Sequence, residues 1–595
     1  MARPVNPKSK YTVKPHVTHG HIYASTQPWT VDPATGRKVY RYVHWGTVID
    51  GRFIPGAKYV RASPEERARL IFPEEWDLGA IESMSGRRGP GRPASGGEDR
   101  SRLYGDVWLL EKIAEKLGIR RDLMAVFGEN REVVDEILTL AYFPYLTKWS
   151  YSRAERWQNI ERTPGGRALT PKEITLLSQS VTERHRMDFL RLRLARLGKD
   201  EVCAVDSTTR SAYGGALADI RWGTNKERLP LEQTTEAVVY TLDSHLPVYY
   251  RTFPGNIPDS RSLREILSDL SDAGMPRAVL VTDRGYDCMR NLETYIARGQ
   301  PMVMCMRTSQ SLVSERIDAF GKFDCVPEDM ELDLDSEVYF RQYAAEYPVR
   351  GLRGQAKPAD RFRINLYFDP VRRAAEKKAV DLDVGRQRRA LGQILAEGSA
   401  LDDDASLKRL YGYFDLRYDP ATRRLESFSE NRKKIDSARS HAGFRAIGTL
   451  GVDFTAMETL RHYGLRDEQE KYFQQMKDQM AADRQRTWSE EGKTGRLFIL
   501  FVSLMVASHV RHVWKTTDLH EKFRSSLDIL DEMRSIRCIE HARRAVRITP
   551  FVGKQLDICR AFGFDVPKGC GPEYLSVKVD KPRRGRPRNP AKGDL

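Results

Sequence analysis

Two short apolar runs constrain this chain more than any other feature, because each ends on an aspartate. Glu-Val-Cys-Ala-Val-Asp closes at Asp206 and Ala-Val-Leu-Val-Thr-Asp at Asp283. Runs of that length and composition read as strands buried on both faces, and ligand sites on such sheets lie outside the carboxyl ends of the strands. Asp206 is followed by Ser-Thr-Thr and Asp283 by Arg-Gly-Tyr, so each strand is expected to run straight into a turn. Between them EAVVYTL and PVYYRTF read as further strands, and SRSLREILSDLSDAG as a helix. Antiparallel strands followed by a helix-linked strand predict a mixed α/β sheet. Either aspartate alone could simply cap the element after it. Two on one sheet edge, joined by a third acid, argue for chemistry.

The third acid lies in LRHYGLRDEQEKYFQQMKDQM, where Tyr463, Arg466, Glu470 and Lys477 sit at offsets 0, 3, 7 and 14. At about 100° per residue these positions share one narrow stripe of a helix, with Leu465, Tyr472 and Met476 on the opposite side. Three carboxylates can hold two Mg²⁺ ions about 4 Å apart, clamping the attacking and leaving oxygens of an in-line phosphoryl displacement. Mg²⁺ takes oxygen ligands and keeps several waters, so few protein groups suffice. Mn²⁺ is the expected substitute. On this reading Asp206, Asp283 and Glu470 are catalytic and bind metal. Arg466 and Lys477 hold flanking phosphates, and Tyr463 bonds a phosphate or stacks on a displaced base.

The remainder of the 595 residues agrees with a DNA partner. Hydrophobic residues make up 40% and charged residues 30%, so most of the chain should pack, and the length predicts several folded units. The formal net charge of +16 suits a polyanion. Seven scattered cysteines form no Cys-x-x-Cys pair, which fits a reducing cytosol. The N-terminus has no apolar stretch of signal-peptide type, and the longest apolar run, from Leu497 to Ala507, is too short to span a bilayer. A cytoplasmic protein with no membrane contact is expected.

Along the chain, residues 1–84 form an N-terminal region with a hairpin signal at Asp50-Gly51, followed by a Gly/Pro/Arg linker over 85–100. Residues 101–199 are helical, either docking on DNA or serving as scaffold. Strand-like pieces surround one charged helix near 371–395, and the region after Met457 is mostly helical, with a C-terminal helical region at 517–570. The tail, 571–595, contains Arg584-Gly585-Arg586-Pro587, an extended segment narrow enough for an A·T minor groove that resembles an AT-hook. Arg584 and Arg586 are its expected DNA contacts.

The spacing Tyr463-x2-Arg466-x3-Glu470-x6-Lys477 resembles the signature of a large group of bacterial insertion-sequence DDE transposases. WGTNKERLPLEQTTEAVVYTLDSHLPVYYRTFPGNIPDSRSLREIL (222–267) and VTDRGY (281–286) are similar to that group's first-to-second-aspartate segment and second-aspartate motif. The resemblance implies an α/β fold with an RNase-H-like mixed sheet core over 200–289 and 451–516, interrupted by a β-rich insertion over 290–450, with helical regions on either side. It assigns Asp206, Asp283 and Glu470 to the catalytic triad, Asp206 and Glu470 holding one ion and Asp283 sharing the other with Asp206. It implies Mg²⁺-dependent cleavage at transposon ends and strand transfer into target DNA. It further implies double-stranded DNA as partner, a homodimer on that DNA, and a place in the bacterial cytoplasm beside the nucleoid. Members of the group can cut through a DNA hairpin, an insertion tryptophan stabilising a flipped base. Here no tryptophan lies between Trp222 and Trp488, so Tyr339, Phe340, Tyr343 or another aromatic would take that part. The rival readings are a catalytically silent, transposase-derived DNA-binding protein and a metal nuclease that cuts without joining.

Overall fold

The computed structural model describes residues 11–78 and 100–571, apart from 19–20, 32–35, 37, 50, 213–216, 224–230, 321–328, 346–347, 351–355, 359–361, 481, 483 and 542–543. The expected linker, most of the basic tail, and with them Arg584 and Arg586, lie outside the described residues. The chain divides into two units, Met1–Gly97 and Glu98–Leu595. In the first, four antiparallel strands pack around Val13, Trp45, Phe53 and Tyr59. Its strands Val43–Ile49 and Arg52–Pro55 pair across a tight turn at Gly51, whose φ of +76° is a conformation glycine adopts without steric cost.

The second unit begins with a helical layer: α1 (Gly105–Lys116), α2 (Arg131–Thr147), α3 (Pro171–Ser180) and α4 (Glu183–Leu194). Their apolar faces, Trp108, Ile113, Phe143 and Phe189 among them, share one continuous core with the central sheet. Asn130 caps α2, and Thr170 with Glu173 forms a capping box on α3, satisfying amide groups that helix starts leave open.

The central sheet comes next in the chain. Strands β1 (Val202–Ala212), β2 (Gln233–Thr241) and β3 (Pro247–Pro254) are an antiparallel meander. Helix α5 (Asp259–Asp272) leads to β4 (Val279–Thr282), which runs parallel to β1, and α6 (Met289–Arg298) leads to β5 (Met302–Met306), parallel to β4. The spatial order is β3-β2-β1-β4-β5. Three antiparallel strands followed by two parallel ones reached through helices make an RNase-H-like core. Parallel strands need such crossovers, and both faces of this sheet are covered, which is why β1, β2, β4 and β5 are buried throughout.

The sheet does not stop at β5. Strands β6 (Glu331–Asp333), β7 (Val338–Ala344), β8 (Arg363–Phe368) and β9 (Phe444–Leu450) extend it antiparallel in the order β5-β9-β8-β7-β6. Within the range expected as an insertion, 290–450, β5 thus belongs to the five-stranded core and four more strands lengthen it. Between β8 and β9 lies a separate element built on α7 (Pro370–Glu397), with a small core of Val384, Leu391, Leu401, Phe414, Leu425 and Ile435. It leaves and rejoins the sheet at Phe368 and Phe444, which face each other in the ladder.

After β9 come α8 (Ala456–Gly464), α9 (Asp467–Gln474), the two-residue strand β10 (Arg484–Gln485) beside the end of β1, and α10 (Glu490–Thr516). By length and composition α10 could cross a membrane, being longer than the apolar run that marks it, but most of it is buried inside the protein. Its Gly495 lies against the backbone of α3, where an added Cβ would meet the Ser178 carbonyl oxygen at 1.8 Å.

Candidate active site

Asp206 stands in the middle of β1, not at its end as the sequence suggested. Ser207, Thr208 and Thr209 do not turn; they continue the ladder with β2, from Asp206 opposite Val238 to Ser211 opposite Gln233. Threonines suit a strand when its neighbour is already in place. It is the parallel neighbour that stops. β4 ends at Thr282, paired with Val205, so Asp283 leaves the sheet at the rung of Asp206. Neighbouring strands lie about 4.8 Å apart, and the register therefore seats the two aspartates side by side. Asp283 also caps the short helical turn Arg284–Tyr286: its Oδ1 accepts the Gly285 N–H at 2.7 Å.

The third acid arrives on a helix that is interrupted. Between α8 and α9 the chain passes through Leu465 and Arg466, and Gln475–Gln479 is a π-helical turn. A π-turn inserts an extra residue and rotates the helix beyond it. Lys477 lies within this turn; it is half-buried, and its charge acts on the buried Glu236 of β2. Tyr472 and Met476 are fully buried, as the spacing predicts, while Glu470 is exposed and Leu465 half-buried.

Arg466 joins the two elements. Its Nη1 donates to Asp206 Oδ2 at 3.2 Å and its Nη2 to Glu470 Oε1 at 2.8 Å. The guanidinium carbon lies 5.6 Å from the centre of the Tyr463 ring. Burial works against the Arg466 charge, but Tyr463, Asp206, Glu470 and Asp283 outweigh it and raise its pKa. The Tyr463 hydroxyl is pushed up by burial first and then by Cys305, so it stays protonated as a donor.

A fourth carboxylate, missed from sequence, completes the group. Asp259, the first residue of α5, accepts the Ser207 hydroxyl at 2.5 Å. Its Oδ2 lies 3.3 Å from the position a Cβ on Gly285 would take, with Asp283 Oδ1 at 3.0 Å from the same point. A side chain at Gly285 would press on both carboxylates. The buried Tyr286 lies within reach of all three aspartates: burial, then Asp259, Asp206 and Asp283, raise its hydroxyl pKa well above the usual value. Asp259 reads from sequence as an ordinary acidic first turn; only the tertiary fold shows it beside Ser207.

Cations from distant segments border Asp283. A cavity of about 250 Å³ is lined by Asp283, Arg284, Arg372, Arg445 and Tyr463. It shares Arg284 and Arg372 with a larger one of about 820 Å³ that reaches Lys433 and Lys434 on the inserted element. Tyr339, Phe340 and Tyr343, by contrast, belong to β7, four strands beyond β4 and so about 19 Å away at ~4.8 Å per strand. Arg316 and Arg341 cover Tyr343.

Among the described residues no three His, Cys, Asp or Glu side chains form a ready metal cage. The donor chemistry nonetheless fits a hard divalent cation: every candidate ligand is a carboxylate oxygen. Between Asp206 and Glu470 the positive charge is supplied by Arg466.

The RNase-H-like sheet thus seats Asp206 beside Asp283, and Arg466 ties Asp206 to Glu470. Residues 197–506, more than half of the chain, match the family model described as "Transposase DDE domain". The chain belongs to this family: it is a DDE transposase. Among solved structures it is similar to a piggyBac transposase, in a cryo-EM structure of the synaptic complex with hairpin DNA. The two are 10% identical, with a TM-score of 0.31 over 72% of this chain and 70% of that one. No curated protein matches the chain.

Proposed function

We propose that this protein carries out cut-and-paste transposition of a bacterial insertion sequence: cleavage at the element's ends, then joining of the freed 3′-OH to target DNA. The observation that carries the reading is the register of β1 against β4, which seats Asp206 beside Asp283 while Arg466 links Asp206 to Glu470. Asp206, Asp283 and Glu470 would hold Mg²⁺ or Mn²⁺, which when bound activates the attacking oxygen and stabilises the leaving one. Asp259 fixes Ser207 beside Asp206 and adds negative charge behind the site. Arg284, Arg372 and Arg445 line the approach to Asp283, where they can hold phosphates on either side of the scissile bond. Tyr463 keeps its proton and donates to a phosphate oxygen. A second copy of the chain, each acting on one end, completes the proposed assembly in the cytoplasm, and the basic tail with Arg584 and Arg586 adds salt-sensitive affinity for DNA.

The test is Mg²⁺-dependent cleavage of linear DNA bearing the element's ends, comparing the unaltered protein with Glu470→Gln. The substitution keeps size and hydrogen bonding and removes the charge. Cleavage and joining by the unaltered protein, with binding but no cleavage by the variant, is the expected result. Binding without cleavage by both, in Mg²⁺ and in Mn²⁺, would leave the silent DNA-binding protein. Cleavage without joined products would leave the nuclease.

A further inference from the structure

Helix α9 carries Glu470 but has only eight residues, between the break at Leu465–Arg466 and the π-helical turn Gln475–Gln479. A helix this short is held in place by tertiary contacts and not by its own propagation. Its buried face lies on β2, where the Tyr472 and Tyr240 ring centres are 5.8 Å apart. Apolar packing is non-directional, so it does not fix the height of one element along another.

Two buried polar side chains do. Gln469, wholly buried, donates from Nε2 to the Val238 carbonyl oxygen at 2.8 Å. Val238 is the residue of β2 paired with Asp206. A backbone carbonyl has two lone pairs, so it can serve the sheet and this amide together. Gln469 is thereby fixed to the rung of Asp206, and Glu470 is the next residue in the chain. The second side chain is Arg511 of α10. Its Nη1 donates to Gln475 Oε1, and its Nη2 to the Glu468 carbonyl and the Tyr240 hydroxyl, each at 3.1 Å. It fastens α9 near its start and at its end.

Stability alone does not account for the amide. Gln469 Oε1 is buried without a hydrogen-bond partner, and burying a polar atom unpaired is unfavourable. An apolar side chain of the same size would fill the position without that cost. What it could not supply is a directional contact of fixed length to the strand that faces Asp206. The contact is also independent of the acids. An ion on Asp206 and Glu470 competes with Arg466 for their oxygens, whereas the bond from Gln469 to Val238 uses neither carboxylate.

We propose that Gln469 is a positioning residue: its bond to Val238 sets the height of Glu470 against Asp206, so that both carboxylates can reach one divalent ion. Arg511 steadies the helix behind it. The inference rests on the metal-dependent transposase reading above.

The test compares the full-length wild-type protein with Gln469→Leu and Gln469→Met, which keep about the same volume and remove the donor. Mn²⁺ binding is followed without DNA by electron paramagnetic resonance of the free ion, and the melting temperature is measured in EDTA. In both variants the Mn²⁺ dissociation constant should rise about tenfold, the scale of effect of groups that orient metal ligands from behind, while the melting temperature does not fall. Mg²⁺-dependent end cleavage should drop about 10- to 100-fold, and Mn²⁺ should restore part of it, since Mg²⁺ demands near-ideal octahedral geometry. Phe473→Leu, which loosens the buried face of α9 by packing alone, is the control. Unchanged Mn²⁺ affinity in the Gln469 variants would overturn the proposal. So would an equal weakening in Phe473→Leu, which would reduce Gln469 to a packing residue. Failure of the transposase reading looks different: the wild-type protein would bind Mn²⁺ at a site lost in Asp206→Asn and yet cut no element ends. A wild-type protein with no such site would overturn both.

Discussion

Arg466 Nη1 donates to Asp206 Oδ2 at 3.2 Å, although 260 residues separate the two in sequence. The same guanidinium holds Glu470, so one cation balances two carboxylates that would otherwise repel each other. A divalent ion bound by those carboxylates has to compete with it. In Arg466→Gln the maximum rate of end cleavage should fall about 10- to 100-fold, through loss of phosphate contact, while the Mg²⁺ concentration giving half-maximal cleavage should fall several-fold. A magnesium titration of both proteins checks this. An unchanged midpoint would mean that Arg466 does not compete for the acids.

Asp259 reaches the site through Ser207 and lies beside Gly285. Groups that orient ligands from behind commonly contribute 10- to 100-fold to activity. Asp259→Asn should lower cleavage by about that factor and leave DNA affinity in EDTA unchanged. Wild-type cleavage by Asp259→Asn would confine the residue to capping α5.

The close approach of α10 to α3 predicts a stability effect opposite to helix propensity. Alanine is favoured over glycine by about 1 kcal/mol inside a helix. At Gly495, however, a Cβ would lie 1.8 Å from the Ser178 carbonyl oxygen. Forcing the helices apart costs about 1–3 kcal/mol, so Gly495→Ala should lower the denaturation midpoint, and a raised midpoint would contradict the packing.

His509 is buried on α10, and desolvation, with Lys116 and His512 as lesser causes, lowers its pKa to about 4. An unfolded histidine takes its proton near pH 6.5, so between about 6.5 and 4 the unfolded chain binds the proton and the folded one does not. The folded state should therefore lose up to about 3 kcal/mol from this residue as pH falls through that window, with no change above it. Denaturation of His509→Leu at pH 7.5 and pH 5 should show a smaller acid loss than the unaltered protein. Parallel pH profiles would mean that His509 is protonated in the fold.

The acids were legible in sequence for a physical reason: buried strands must be apolar, so an aspartate among Val, Leu and Ala is conspicuous at both Asp206 and Asp283. Their side-by-side placement was not, since it depends on the register of β4 against β1 and on where β4 ends. The continuation of β1 through Ser207–Ala212 was hidden because hydroxyl residues are as common in turns as in strands with a ready partner. The π-turn at Gln475–Gln479 leaves no periodic signal. Asp259, Arg372 and Arg445 come together only through the tertiary fold.

The pairing of Phe368 with Phe444 has one more consequence. Because the element between them departs and returns across a single rung, the sheet requires nothing of it beyond a turn. It is in effect a cartridge. Evolution can lengthen, trade or rewrite residues 369–443 to suit a different DNA end without re-threading the catalytic core, and a protein engineer can do the same by closing the ladder with a short hairpin.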